Sequence, residues 1–530
     1  MQCRSDWRSL GDDGKINALS FPVCRRLFFW QEMIRFMIMA TCVLAPVLGQ
    51  ETYQRTLLVE LRHVPAAMRE AHGVAAGSGT YSFGSYDPER ILSVVGDTVL
   101  MLATPAELGK ATLEGLEATV VMESADKLML IKRALYGPTL MLDEIYHSYD
   151  RIVRRAEELA KVHPRLITRR MIGETTQCKR PIYAYRLSND ATKAQARPAV
   201  LFDGCHHSNE LMGAEIVLAL MEKLVTGYGQ DAAVTAWMDT LEIWLVPVVN
   251  VDGHDMVTSG RDPRWRKNLR DVNSDGVTGV YPEGVDVNRG YDFNWAMGGT
   301  GDPDKVSYRG PYPFSEAENR AMRHLAATRQ FLLSVSYHSQ GEVIFYPWVW
   351  NDLPAPDDSV IKRIAADVAA HIPTMDATGS YTIAPGGPSS QSYPWLYGRH
   401  GTIDLIIETG KGAQFFPPAE VPGIIAANLK GVETLLKHTV GPGLAVQVTD
   451  AATGMPLVAQ VWLPQIENET VDRRTTDAQF GRMWRLLEPG RHQVIVSCKG
   501  YSTVALRAVE VGGKGWTPLE VRLKLSSSTP

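Results

Sequence analysis

Cysteine is scarce in this chain, with six in 530 residues. Cys3, Cys24 and Cys42 lie ahead of residue 50, and Cys178, Cys205 and Cys498 form an odd set without framework spacing. A disulfide-built scaffold is therefore excluded, and stability has to come from a sizeable core. An excess of one charge is also missing. Lys and Arg number 54 against 59 Asp and Glu, a formal net charge of -5 with no long basic run. That balance offers nothing to nucleic acid or to an anionic membrane. Apolar runs are short as well, below the roughly 20 residues that a spanning helix requires.

The nearest approach to such a run is "MIRFMIMATCVLAPVLG", residues 33–49, with one arginine, a short apolar stretch and small residues at its end. This pattern predicts a secretory signal cleaved near Gly49 and so a secreted or periplasmic protein without a transmembrane span after cleavage. Met33 is an alternative start, and a buried N-terminal helix is the competing reading.

What is present is ordinary globular material, 45% hydrophobic and 21% charged, long enough for about two to four domains. Strand and helix patterns in "TLLVELRHV" and "DTVLMLATPAELGKATLEGLEATVVM" predict a small α+β module within residues 50–137. From residue 138 to 440, apolar strand runs ("PIYAYRLS", "PAVLFDG", "LEIWLVPVV") alternate with helical patterns ("YDRIVRRAEELAKVHPRL", "AEIVLALMEKLV"). Ile152, Ala156, Leu159 and Val162 recur at helical spacing in the first of those helices, and the alternation predicts an α/β sheet covered on its faces. After the Gly441-Pro442-Gly443 break the texture turns to short alternating strands, so residues 441–530 are expected to hold a β-sandwich.

The chemistry gathers at strand ends. His207 and Glu210 stand three apart after an apolar run; such a pair can converge on one cation, with His206 as the competing ligand. A third ligand is offered by His338, at the end of "FLLSVSYHS". Arg266 in "RWRKN" is a fixed guanidinium suited to a developing oxyanion, and Asn288 with Arg289 suits a substrate carboxylate.

Taken in order, His207/Glu210, Trp265-Arg266, Asn288-Arg289, His338-Ser339 and "IIETG" with Glu408 resemble the zinc carboxypeptidases of the M14 (carboxypeptidase A/B-like) family over about residues 138–440. The resemblance implies a mixed eight-stranded sheet flanked by helices. It also implies one zinc held by His207, Glu210 and His338, and removal of C-terminal residues from peptides or proteins. Glu408 would be the general base, Arg266 the oxyanion contact, and Asn288 and Arg289 the carboxylate contacts. Residues 50–137 resemble the amino-terminal pro-region of some bacterial relatives, and residues 444–525 the transthyretin-like sandwich of the family's regulatory branch.

The match departs in places. Asn209 stands where the family often has arginine. The mobile tyrosine over the substrate terminus has no ungapped partner; Tyr381 is the nearest candidate and Tyr393 the next. Neither "GGPSSQSYPWLYG" nor Val349 carries an acidic residue, so a preference for basic termini is not expected. Asp404, two strand positions before Ile406 and four before Glu408, shares a strand face with Glu408 and competes with it as the base. "DVNSDG" (Asp271, Asn273, Asp275) is a candidate calcium loop, weakened by Pro282 at the twelfth position, with a polar turn as the alternative. The rival functions are a cell-wall peptidase or other amidohydrolase on the same zinc site, and a non-catalytic binding protein.

Overall fold

A computed structural model describes residues 57–64, 91–95, 97–103, 105–122, 145–350, 353–387 and 389–526. The expected leader, residues 1–49, lies outside the described residues. The chain divides into two compact units, Met1–Gly137 and Pro138–Pro530.

In the first unit, β1 (Leu57–Arg62), β2 (Ile91–Val95), β3 (Thr98–Ala103) and β4 (Glu117–Met122) form an antiparallel sheet in the order β2-β3-β1-β4, with α1 (Pro105–Leu113) between β3 and β4. Val59 and Leu61 alternate onto one face and meet Val99 and Met101, giving the unit its own small core.

The second unit opens with α2 (Tyr149–Val162), which buries Ile152, Ala156 and Leu159. Val162 shares their spacing but is 71% exposed, because the helix ends there. Next come β5 (Ile167–Glu174), β6 (Pro181–Leu187), β7 (Ala199–Gly204), α3 (Met212–Gly227), α4 (Ala232–Thr240), β8 (Glu242–Val246) and α5 (Val251–Thr258). After a long irregular stretch follow α6 (Ala317–Thr328), β9 (Phe331–His338), β10 (Val343–Tyr346), the short pair β11 (Val349–Trp350) and β12 (Leu353–Pro354), and α7 (Asp358–Ala370). β13 (Thr382–Pro385), α8 (Ser392–Trp395), β14 (Ile403–Glu408) and α9 (Val421–Lys437) complete this part.

The sheet is mixed and eight-stranded, in the order β13-β10-β14-β9-β7-β8-β6-β5. Its middle strands β14, β9, β7 and β8 run parallel. Every residue of β7, β8 and β9 is buried, as expected of parallel strands covered by helices on both faces. The register sets Gly204 beside Tyr337 and Glu408 beside His338, so three neighbouring strands end at one level. Open parallel sheets place their sites at such carboxyl ends.

From Gly443 on, β15 (Gly443–Asp450), β16 (Gln460–Trp462), β17 (Arg474–Thr475), β18 (Arg482–Leu486), β19 (Gly490–Ser497), β20 (Val504–Val511) and β21 (Trp516–Leu523) form two further sheets, β18-β15-β21 and β17-β16-β19-β20. Val446, Val448, Val461, Val494 and Val496 form part of a separate apolar core there, the expected sandwich.

Candidate metal centre

The loop after β7 turns sharply, with buried Cys205 at φ 53°. Two glycines let α3 start close behind it. A Cβ on Gly204 would lie 2.7 Å from the backbone of Gly213, and one on Gly213 would lie 2.9 Å from the Tyr337 carbonyl. This close approach carries His207 and Glu210 against the end of β9.

There, His207 and His338 present Nδ1 atoms 3.1 Å apart. Glu210 lies between them, with Oε1 2.8 Å from His207 Nδ1 and Oε2 2.7 Å from His338 Nδ1. All three side chains are buried. Burial by itself would raise the Glu210 carboxyl, but the facing imidazoles of His207 and His338 hold it well below the ordinary range. Two imidazole nitrogens and a carboxylate aimed at one point are lone-pair donors of the kind zinc accepts. The far edges of the rings are tied down. His207 Nε2 lies 3.3 Å from Asp286 Oδ1, and His338 Nε2 lies 3.3 Å from Asn288 Nδ2 and 3.4 Å from Ser336 Oγ. Of these contacts, Asp286 Oδ1 and Ser336 Oγ can each accept a ring Nε2–H, the tautomer that leaves Nδ1 for a cation. The residues present fit zinc.

His206 is turned elsewhere. Its Nε2 lies 2.7 Å from the Tyr291 hydroxyl, and its Nδ1 lies 3.2 Å from Ser336 Oγ and from Asp203 Oδ1. Both ring nitrogens are engaged away from the cluster.

Arg266 borders the cluster, with Nη2 2.9 Å from His207 Nε2, Nη1 3.4 Å from Glu210 Oε1 and Nε 3.2 Å from Asp286 Oδ2. Asp286 thus faces both His207 and Arg266. Burial would raise its carboxyl, but Arg266, His207 and Arg289 hold it well below the usual range. Sequence reasoning passed over Asp286, although it sits two positions before Asn288 in "GVDVNRG".

The buried Asn288 accepts the Ser392 N–H on Oδ1 at 3.0 Å, while its Nδ2 faces His338. Arg289 donates from Nη1 to the Asn288 carbonyl at 2.8 Å and makes no ion pair among the described residues. Glu408 closes β14 beside His338. Its carboxyl is pushed up to about 7, by burial first and then by Glu210, against the opposing pull of His338, Arg266 and Arg289. Asp404 lies deeper and is fully buried; burial and the neighbouring Asp203 push its carboxyl well up.

The structure does not bring Tyr381 into the cluster. It is buried, and its hydroxyl accepts the Gly410 N–H at 2.9 Å. Tyr393 is also buried and donates to the Gly387 carbonyl at 2.7 Å, but it lies within the field of Arg289. In the candidate calcium loop, Asp271, Asp275 and Glu283 bring oxygens within 4.8 Å of one another. Asp271 accepts the N–H groups of Asp275 and Gly276, and Asp275 accepts that of Val277. Those are the bonds of a self-capping polar turn.

Comparison with known proteins agrees with this geometry. A family model described as zinc carboxypeptidase (Peptidase_M14) matches residues 152–427, just over half of the chain. The chain is 27% identical to carboxypeptidase A1 of Rattus norvegicus over 304 residues, covering 56% of this chain and 70% of that protein. It is 28% identical to carboxypeptidase A4 of Mus musculus over 313 residues, covering 57% and 70%. Among solved structures, carboxypeptidase A from Helicoverpa armigera shares the fold with a TM-score of 0.52 at 17% identity, covering 74% of this chain and 98% of that one.

Proposed function

The chain belongs to the zinc carboxypeptidase family, and from that membership we infer how its residues divide the work. It is a zinc-dependent metallocarboxypeptidase that hydrolyses C-terminal residues from peptides or proteins. His207, Glu210 and His338 would hold the zinc, which when bound would supply Lewis acidity toward the scissile carbonyl and the attacking water near neutral pH.

The protein's own groups do the rest. Arg289 receives the free terminal carboxylate; it is a guanidinium at the edge of the site that makes no ion pair among the described residues, and its planar fork matches a carboxylate. That guanidinium beside the ligand cluster, without an ion pair among the described residues, is the observation that carries an exopeptidase rather than an endopeptidase reading. Asn288 stands next to it and orients His338. Arg266 faces the region where negative charge develops on the carbonyl oxygen. Glu408 takes a proton from the attacking water and returns it to the leaving amine, a role suited to a carboxyl near 7 at the mouth of the strand rather than to the deeply enclosed Asp404. Tyr393, close to Arg289, is the better placed of the two tyrosines to line the substrate terminus.

Among the described residues no helix is long and apolar enough to cross a membrane. Export through the segment ending near Gly49 belongs to this proposal, as do a pro-region-like module at residues 50–137 and a transthyretin-like domain at residues 441–530. The test is a panel of peptides with free and amidated C-termini, assayed with metal analysis alongside. Turnover of free termini only, with one zinc per chain, is expected. Equal turnover of both would replace the exopeptidase with an amidohydrolase of another kind.

A further inference from the structure

The C-terminal sandwich reaches the substrate side of the site through buried charge. Asp357, just before α7, is 4% exposed. Its carboxylate accepts from Arg474 Nη2 at 2.5 Å and from Arg485 Nη2 at 3.1 Å, both from sandwich strands. Arg485 is fully buried and also pairs with Glu467, so the cluster holds two arginines and two carboxylates. The fifth member is Tyr397, in the turn that continues α8. Its hydroxyl donates to Asp357 Oδ2 and accepts the Asp357 N–H, both at 2.9 Å.

The same turn meets the sandwich at three further points. The Gly398 carbonyl accepts the Asp472 N–H at 2.7 Å, and Arg399 Nη1 donates to Asp472 Oδ1 at 3.2 Å. Gly401, at φ +72°, leaves room for the Arg474 side chain, whose Nε would lie 2.3 Å from a Cβ there. At the other end of α8, the Ser392 N–H holds Asn288 Oδ1, and the Asn288 carbonyl holds the Arg289 guanidinium. A continuous set of bonds therefore runs from the sandwich through Asp357, Tyr397 and α8 to the carboxylate contact.

Buried ion pairs add little stability over well-packed apolar groups, because desolvation offsets the attraction. In this cluster, any other docking of the sandwich would leave a buried charge of Asp357, Arg474 or Arg485 unpaired, which selects one docked geometry. We propose that the sandwich sets the position of the substrate-binding face, with Tyr397 as the positioning residue that passes its docking on Asp357 to α8, Asn288 and Arg289. This rests on Arg289 binding the substrate carboxylate.

Tyr397→Phe tests it most cleanly, because the ring and all four charges stay. The KM for a free-terminus peptide is expected to rise roughly 3- to 10-fold, the worth of one hydrogen bond, with kcat and zinc content unchanged. Asp357→Asn should raise KM further. Arg363→Ala, which breaks an exposed pair with Glu488 at the same junction, should leave KM alone. A lower Tm in Tyr397→Phe with KM and kcat both unmoved would reduce the cluster to a structural staple and overturn the proposal. The wild-type protein is assayed on free and amidated peptides in the same series. Loss of that discrimination in the wild type counts against the reading of Arg289, whereas intact discrimination with an unmoved KM in the variant counts against the positioning role.

Discussion

Two groups of acidic and ligand-bearing side chains stand in this molecule, and by spacing alone they look equally suited to a cation. In one, Glu210 lies between His207 and His338; in the other, Asp271, Asp275 and Glu283 share a loop. The difference is in what the oxygens face. Glu210 is buried and meets imidazole nitrogens that are themselves lone-pair donors, so the group is complementary to a metal and to little else. Asp271 and Asp275 meet the N–H groups of their own turn. Proximity of carboxylates does not make a site; a buried arrangement in which donors face donors does.

The strongest way to break this comparison is to remove a ligand from the buried group. His207→Ala should abolish activity and bound zinc together, measured by turnover and metal analysis. Zinc retained in His207→Ala but lost in His206→Ala would give the ligand role to the neighbour, against the engagement of His206 with Tyr291 and Ser336. Glu408→Gln sharpens the contrast from the other side, since it should keep its zinc while losing about 10²–10⁴-fold in kcat, the usual worth of a general base. Asp404→Asn should keep turnover, because that carboxyl is fully enclosed beside Asp203, where burial pushes it up, rather than at the mouth of the strand. A dead Asp404→Asn with an active Glu408→Gln would reverse the assignment.

Smaller effects are expected at the rim of the buried group. Asp286→Asn should weaken zinc affinity by about 10- to 100-fold, the usual cost of losing a partner that orients a ligating histidine; competition with a chelator reads this directly. Arg289→Ala should cost about 1.5–3 kcal/mol in kcat/KM for free-terminus peptides, a charge-assisted hydrogen bond's worth. Activity on amidated peptides should not fall in parallel.

Much of this was legible in the sequence, for identifiable reasons. Buried parallel strands announce themselves as apolar runs, so β7, β8 and β9 were readable, and the ligands sit at or just after the ends of such runs. Glu408 was readable for the same reason. Asp286 was not, because its role depends on facing two residues 79 and 20 positions away, His207 and Arg266. The tyrosines were harder still. Tyr381 and Tyr393 are both buried with their hydroxyls on backbone groups, and only the folded chain shows which lies near Arg289. The Asp357 cluster draws its members from distant segments of the chain, and neither periodicity nor motif marks it. Charged residues in a sequence read as surface by default, and here four of them are interior.

The acidic loop offers the smallest and most discriminating test. Its Glu283 carboxyl is pushed up to about 7, by burial first and then by Asp275 and Asp271, from an unfolded value of roughly 4.3. A carboxyl raised in the folded state binds its proton more tightly there than in the unfolded chain. Ionising it therefore costs stability progressively as pH rises from roughly 4.3 to about 7, and nothing below that window. Glu283→Gln, which carries no such charge, should gain on the wild type above that window and match it below. The gain is expected to be on the order of a kcal/mol, readable by thermal melts at the two ends of the window. A bound divalent cation would act on the same carboxylates in the opposite sense, by favouring the ionised form. As a self-capping turn, the loop is expected to show no change in wild-type Tm on adding calcium at high pH. A calcium-dependent rise that Glu283→Gln removes would make the loop a second metal site, and the contrast between the two groups would then be one of affinity rather than of kind.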